Sequence, residues 1–234
     1  MLAHNRRRIL VVNPNSNEVV TRGLEAALAA VAFQDGPEII CETLKEGPLG
    51  IESQAHVDSV AGPLRTLVGR RNDVDAFVIA CYSDPGLAGC REATARPVFG
   101  INEAGVLTAL ARGERFGVIA IAQTSIRRHL RYLRQLGLTE RLAGERALNM
   151  SVAETAADAG ALARMIAVGK ELTDHDGADV SSWAAPAWPG TEHRSPPRSG
   201  SASSTRPRPP SPWRSAPYSS PNPSGADPRA TQHK

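Results

Sequence analysis

DAFVIACYSDPGL, Asp75 to Leu87, is the stretch from which the fold can be read. Ala76-Phe77-Val78-Ile79-Ala80 is an unbroken apolar run, which predicts a strand buried on both faces, as in the middle of a parallel sheet. Cys81-Tyr82-Ser83-Asp84-Pro85-Gly86 then makes a turn into a helix, with Pro85 where a first helical turn tolerates it. A strand that passes through a short polar turn into a helix is the repeating unit of an α/β fold.

The same unit recurs on either side. Toward the N-terminus, Ile9-Leu10-Val11-Val12 is a short apolar strand closing in Asn13-Pro14-Asn15-Ser16. Asn15, with Glu18 three residues later, fits a capping-box-like start for a helix through about Ala32. Glu38 to Cys41 is a second strand candidate, followed by a loop with Gly47-Pro48-Leu49-Gly50 and a helix from about Gln54 to Val68. Toward the C-terminus come a strand starting at Val98-Phe99-Gly100, a helix through Leu110, a strand over Phe116–Ile121 and a helix over Ser125–Leu136. A last helix spans Ala156–Leu172, with Leu162, Ile166 and Val168 among its apolar positions. This alternation predicts an α/β fold with parallel sheets and helices on their faces. Ligands of such sheets bind beyond the carboxyl ends of the strands, where Asn13, Cys81 and the residues after Ile121 fall.

The pattern stops abruptly. Ala178-Asp179-Val180 begins what looks like another strand, yet from Ser181 to Lys234 there is no Leu, Ile, Val, Met, Phe or Cys. Ser, Pro and Arg dominate there, and all three tryptophans, Trp183, Trp188 and Trp213, lie in this segment. So little apolar material cannot offset the entropy of ordering the chain, so the tail is expected to be disordered. A reading-frame shift near Val180 explains the break. Read one nucleotide earlier, Ser codons of the TCN type become Ile, Val, Leu or Phe codons, and Trp codons become Leu, Val or Met codons. Permitted codons then restore Ser181–Gly190 to VILGCAGMAG and Thr205–Ala216 to DPTQAAVAMAIG: a buried strand with a cysteine-bearing turn, then a turn and an apolar helix. The alternative is a genuine disordered extension.

Charge follows the same division. The chain is formally +3 at pH 7, but its tail holds seven Arg and Lys against Glu192 and Asp227, leaving the body at −2. The basic balance therefore belongs to the tail and is weak evidence for nucleic-acid or membrane partners, neither of which is expected. Arg6-Arg7-Arg8 reads as a solvated flank. No apolar stretch has the length of a membrane span, and the N-terminus lacks a signal-peptide core. Cys41, Cys81 and Cys90 have no CxxC spacing, which points to reduced thiols in a cytoplasmic protein without a zinc site.

Cys81 carries the chemistry. At a strand-to-helix turn a thiol meets unpaired N–H groups and the positive end of the helix, which favour the thiolate that acts as base or nucleophile. The same amides could stabilise negative charge on a substrate oxygen. Tyr82 and Ser83 in the same turn are candidate substrate contacts. Asn13 and Asn15 could bind a polar ligand or simply form the turn and cap the helix; Thr124 and Ser125, at the mouth after the fifth strand, are similarly ambiguous. Glu103 suits a helix start, His56 and His129 are expected to be exposed, and Cys41 and Cys90 read as structural. The sequence shows no Ser-His-Asp set, no phosphate-cradling glycine loop and no metal-ligand cluster.

VVNPNS at Val11–Ser16, GPLGIES at Gly47–Ser53, IACYSDPGL at Ile79–Leu87 and PVFGINEAG at Pro97–Gly105 together resemble the hydantoin racemase branch of the Asp/Glu racemase superfamily. Gln123-Thr124-Ser125 departs from the Thr-Thr pair expected earlier in that loop. The resemblance implies two similar Rossmann-like halves, 7–100 with Cys81 and a truncated 101–180, with the active site between them and 181–234 as the shifted tail. It also implies cofactor-independent racemisation of a small molecule, a 5-substituted hydantoin or related ureide, in which one thiolate removes a proton and an opposite thiol returns one. Cys81 matches the first cysteine, and the second would stand where Ala185 now stands. Without it the chain is expected not to racemise. An intact member is expected to be a homo-oligomer, and the missing C-terminal segment would complete its first half. Two other readings stay open: a one-cysteine decarboxylase-like enzyme, and a non-catalytic binding protein with a basic tail.

Overall fold

A computed structural model describes residues 6–157 and 160–183. The expected disordered tail lies outside the described residues from position 184 onward. The described residues form seven strands and seven α-helices, alternating up to β6: β1 (Arg8–Asn13), α1 (Glu18–Ala29), β2 (Glu38–Thr43), α2 (Gln54–Arg70), β3 (Ala76–Ile79), α3 (Leu87–Ala93), β4 (Val98–Gly100), α4 (Ile101–Arg112), β5 (Phe116–Ala120), α5 (Gln123–Gln135), β6 (Leu142–Ala147), α6 (Val152–Ala157), α7 (Ala161–Asp174) and β7 (Val180–Trp183). They form two parallel sheets, ordered β2-β1-β3-β4 and β6-β5-β7.

The apolar runs explain the layering. Leu10 and Val12 of β1 pack with Phe77 and Ile79 of β3 against Val60, Leu64 and Val68 of α2. The intervening Ile9, Val11 and Val78 face Val20 and Leu24 of α1. The strands are thus buried on both faces, as a run without polar alternation requires. In the second sheet Phe116 and Val118 pack on Val106 of α4 and Leu133 of α5. Ile119, with Leu148, packs on Met165, Val168 and Leu172 of α7.

Several elements differ from the expectation. Asn17, not Asn15, caps α1, its side chain accepting from the Val19 N–H at 3.0 Å. The Asn15 side chain instead accepts from the Asn17 N–H and from Asn13 Nδ2, bracing the turn. Strand β6 was not foreseen: LAGERA lacks an apolar stripe, and parallel pairing to β5 holds it. The expected last helix is two, α6 and α7.

β7 continues past the compositional break. Ser181, Ser182 and Trp183 pair with Gly117, Val118 and Ile119 of β5. The strand therefore runs three residues beyond the boundary at Val180, because a β ladder bonds backbone groups whatever the side chains. Ser182 is buried there, and its hydroxyl accepts from Tyr82 Oη at 3.3 Å.

Candidate active site

The turn after β3 joins the two halves. Asp84 has φ +42° and is buried, and its carboxylate accepts from the N–H groups of Asn102 (3.0 Å) and Glu103 (2.9 Å) at the start of α4. Tyr132 of α5 donates to the same carboxylate at 3.2 Å. Burial raises Asp84 to about 6 despite these three donors. Gly86, at φ +66°, closes the turn where a Cβ would press on the Ala61 backbone at 2.9 Å, so glycine is required there. Asn102 Nδ2 donates to the Tyr82 carbonyl at 2.5 Å.

The turn brings Cys81 to a cavity of about 30 Å³ between the halves. Asn15, Tyr82, Ser83 and Ser125 line it with Cys81, as do Glu52, Arg128 and His129. Two expected residues do not reach it. Asn13 is fully buried and donates to Asn15, the Asn17 carbonyl and Thr21, so it organises the loop behind Asn15. Thr124 is exposed on the first turn of α5, while its neighbour Ser125 faces in. A larger open groove of about 1000 Å³ runs along β2 between α1 and α2, lined by Cys41 and charges of both signs; it contains none of the expected site residues.

Arg128 is the cation of the site, and the sequence reading missed it. Its Nε donates to Ser83 Oγ at 3.1 Å and its Nη2 to Ser125 Oγ at 3.2 Å, so one guanidinium ties the Cys81 turn to α5. Partial burial lowers its pKa, and the neighbouring Cys81 thiolate would raise it. Cys81 does not rest as the thiolate that the turn suggested. Burial pushes its thiol up to about 11; Asp84 adds to the rise, against the Ser83 N–H and hydroxyl and the Arg128 charge. Helix α3, only seven residues long and headed by Gly86 without a side-chain cap, is too weak a dipole to reverse this.

His129 also differs from expectation. It is buried, with Nδ1 2.5 Å from Glu145 Oε1 of β6, and its ring meets that of Tyr82 edge-on at 5.1 Å. The signal lay in the spacing of α5, where the buried positions Ser125, His129 and Leu133 recur every four residues. His56 is half-buried, accepting at Nδ1 from the Glu52 N–H at 3.2 Å.

Residues 9–180 match the Asp/Glu/hydantoin racemase family. The chain belongs to that family. It is 35% identical over 180 residues to the hydantoin racemase of Paenarthrobacter aurescens, covering 74% of each chain. It is 40% identical over 118 residues to that of Pseudomonas sp. (strain NS671), covering 49% of this chain and 46% of that one. The latter match thus spans less than half of that relative's length. The allantoin racemase from Klebsiella pneumoniae has the same fold, with a TM-score of 0.73 at 28% identity, over 76% of this chain and 74% of that one. Racemases are therefore among this chain's relatives. No helix among the described residues is long and apolar enough to cross a membrane.

Proposed function

We propose that this chain acts on a 5-substituted hydantoin or related ureide through Cys81 alone, exchanging the proton on one face of the chiral carbon without inverting it. The pairing registers carry this reading. β1 pairs with β3 so that Ile9 faces Ala76, and β5 pairs with β7 so that Phe116 faces Val180. The two sheets share the order second-first-third strand, so Ala76 corresponds to Val180 and Ile79 to Trp183. Counted two residues on in the sequence, Ile79 leads to Cys81 and Trp183 to position 185, which lies outside the described residues.

Inversion needs a base on one face of a planar carbanion and an acid on the other. A thiolate at Cys81 takes the proton from the carbon and becomes the thiol; the carbanion's charge spreads onto the adjacent ring carbonyl. Arg128 is placed to stabilise that charge, and Asn15, whose oxygen is occupied by Asn13 and Asn17, offers its Nδ2 to the ring's polar edge. The alanine methyl at position 185 has no proton to give, so the proton returns from Cys81 to the face it left. A cavity of about 30 Å³ holds one water, so a ring enters only as the facing turns separate. The frame shift near Val180 accounts for the alanine, since the restored string VILGCAGMAG puts a cysteine at that position.

The test is incubation of one enantiomer of a 5-substituted hydantoin in D₂O, following deuterium by NMR and optical activity by circular dichroism. Protein-dependent deuterium uptake with optical activity retained is the expected result. Absence of exchange above the uncatalysed rate would end this reading.

A further inference from the structure

A half-buried thiol that desolvation pushes up to about 11 is a poor base until something takes its proton. Arg128 carries no lone pair for the task. Among the described residues, the other ionisable groups in and behind this site are Asp84 and Tyr82 in the Cys81 turn, Glu52 ahead of α2, Tyr132 and His129 on α5, and Glu145 on β6. Asp84 is engaged with α4 and Tyr132, and Tyr82 Oη donates to Ser182. Glu52 is exposed, with Oε1 accepting from the Val152 N–H at 3.3 Å. His129 and Glu145 remain.

Nδ1 of His129 lies 2.5 Å from Oε1 of Glu145. The side chains are only 4% and 2% exposed, and Glu145 Oε2 is buried without a hydrogen-bond partner among the described residues. A carboxylate only accepts, so in the neutral imidazole the proton of the shared contact sits on His129 Nδ1 and the lone pair on Nε2. His129 lines the same one-water cavity as Cys81, and the Tyr82 ring fixes its plane from the side. We infer that His129 is the proton acceptor for Cys81, with Glu145 as the positioning residue that sets its tautomer. The Cys81 Sγ–H proton moves to His129 Nε2, directly or through one water. A neutral thiol and imidazole become a thiolate and an imidazolium, the first beside Arg128 and the second beside Glu145. No other bond changes.

The inference rests on the reading of Cys81 as the reactive thiol, but its test needs no substrate. The rate of Cys81 alkylation by iodoacetamide, followed across pH by peptide mapping of the full chain, reads thiolate formation directly. His129→Gln should slow Cys81 alkylation near neutral pH by about tenfold or more and remove the lower inflection of its pH profile. Glu145→Gln should shift that inflection, and Cys41 and Cys90 should be unaffected. An unchanged Cys81 profile in His129→Gln overturns the proposal. If that variant does not fold, NMR titration of His129 in the unsubstituted chain decides. Alkylating Cys81 must then shift the His129 titration, and identical curves before and after refute the coupling. Coupling without deuterium exchange into a hydantoin would refute the proposed function and leave this inference standing.

Discussion

The two sheets use the same strand order but diverge beyond the third strand. In the first, β3 presents Phe77 and Ile79 to the core, runs into Cys81 and locks its turn with Asp84 onto α4. In the second, β7 carries Ser181, Ser182 and Trp183 on the same kind of parallel pairing, here to β5. Backbone pairing to β5 survives a change in side-chain character. On the function proposed above, the chain keeps one side of a two-sided acid–base chemistry, with alanine at position 185 of the sequence.

The contrast between the sheets depends most on Cys81. Cys81→Ser should lower hydantoin deuterium exchange by at least about 10²-fold while leaving the far-ultraviolet circular dichroism unchanged. Exchange at the original rate would place the base elsewhere. Re-reading the gene one nucleotide earlier from the Val180 codon should erase the difference between the halves. The resulting chain, with a cysteine at position 185, should racemise a 5-substituted hydantoin, and Cys81→Ala in it should remove that activity.

Asp84 gives a smaller, thermodynamic effect. Its folded pKa of about 6 lies above the ordinary 3.8, so the folded state binds more protons between those values. Its contribution to stability is therefore full below about pH 4 and is lost as pH rises through 6, by about 3 kcal/mol at the limit. Urea unfolding should show this slope in the parent chain and not in Asp84→Asn. Ser182→Ala should cost about 1–3 kcal/mol by leaving the buried Tyr82 hydroxyl without its acceptor. Asn17→Ala, which removes the α1 cap, should cost about 1 kcal/mol.

Much of the first half was legible because its strands are apolar runs: Leu10–Val12 and Phe77–Ile79 are buried on both faces and could hardly be placed elsewhere. The Cys81 turn was legible for the same reason, since it comes directly after such a run. β6 was hidden because its stabilising contacts are polar and non-local: Arg146 pairs with Asp176 and Glu171, and Glu145 with His129. His129 was misplaced because α5 is rich in arginine, which obscures a buried stripe only one residue wide. Arg128 went unnoticed because its partners, Ser83 and Ser125, lie 45 and 3 residues away and only the fold brings all three together. The resting state of Cys81 was misjudged because local sequence reports a helix end but not the desolvation of a buried turn.

The decisive experiment places one hydantoin enantiomer in D₂O with the full chain, recording deuterium at the chiral carbon and optical activity in the same sample. A one-sided site predicts protein-dependent deuterium incorporation with optical activity preserved beyond the uncatalysed background. Loss of optical activity as fast as deuterium enters would show a second acid opposite Cys81 and contradict the one-sided site.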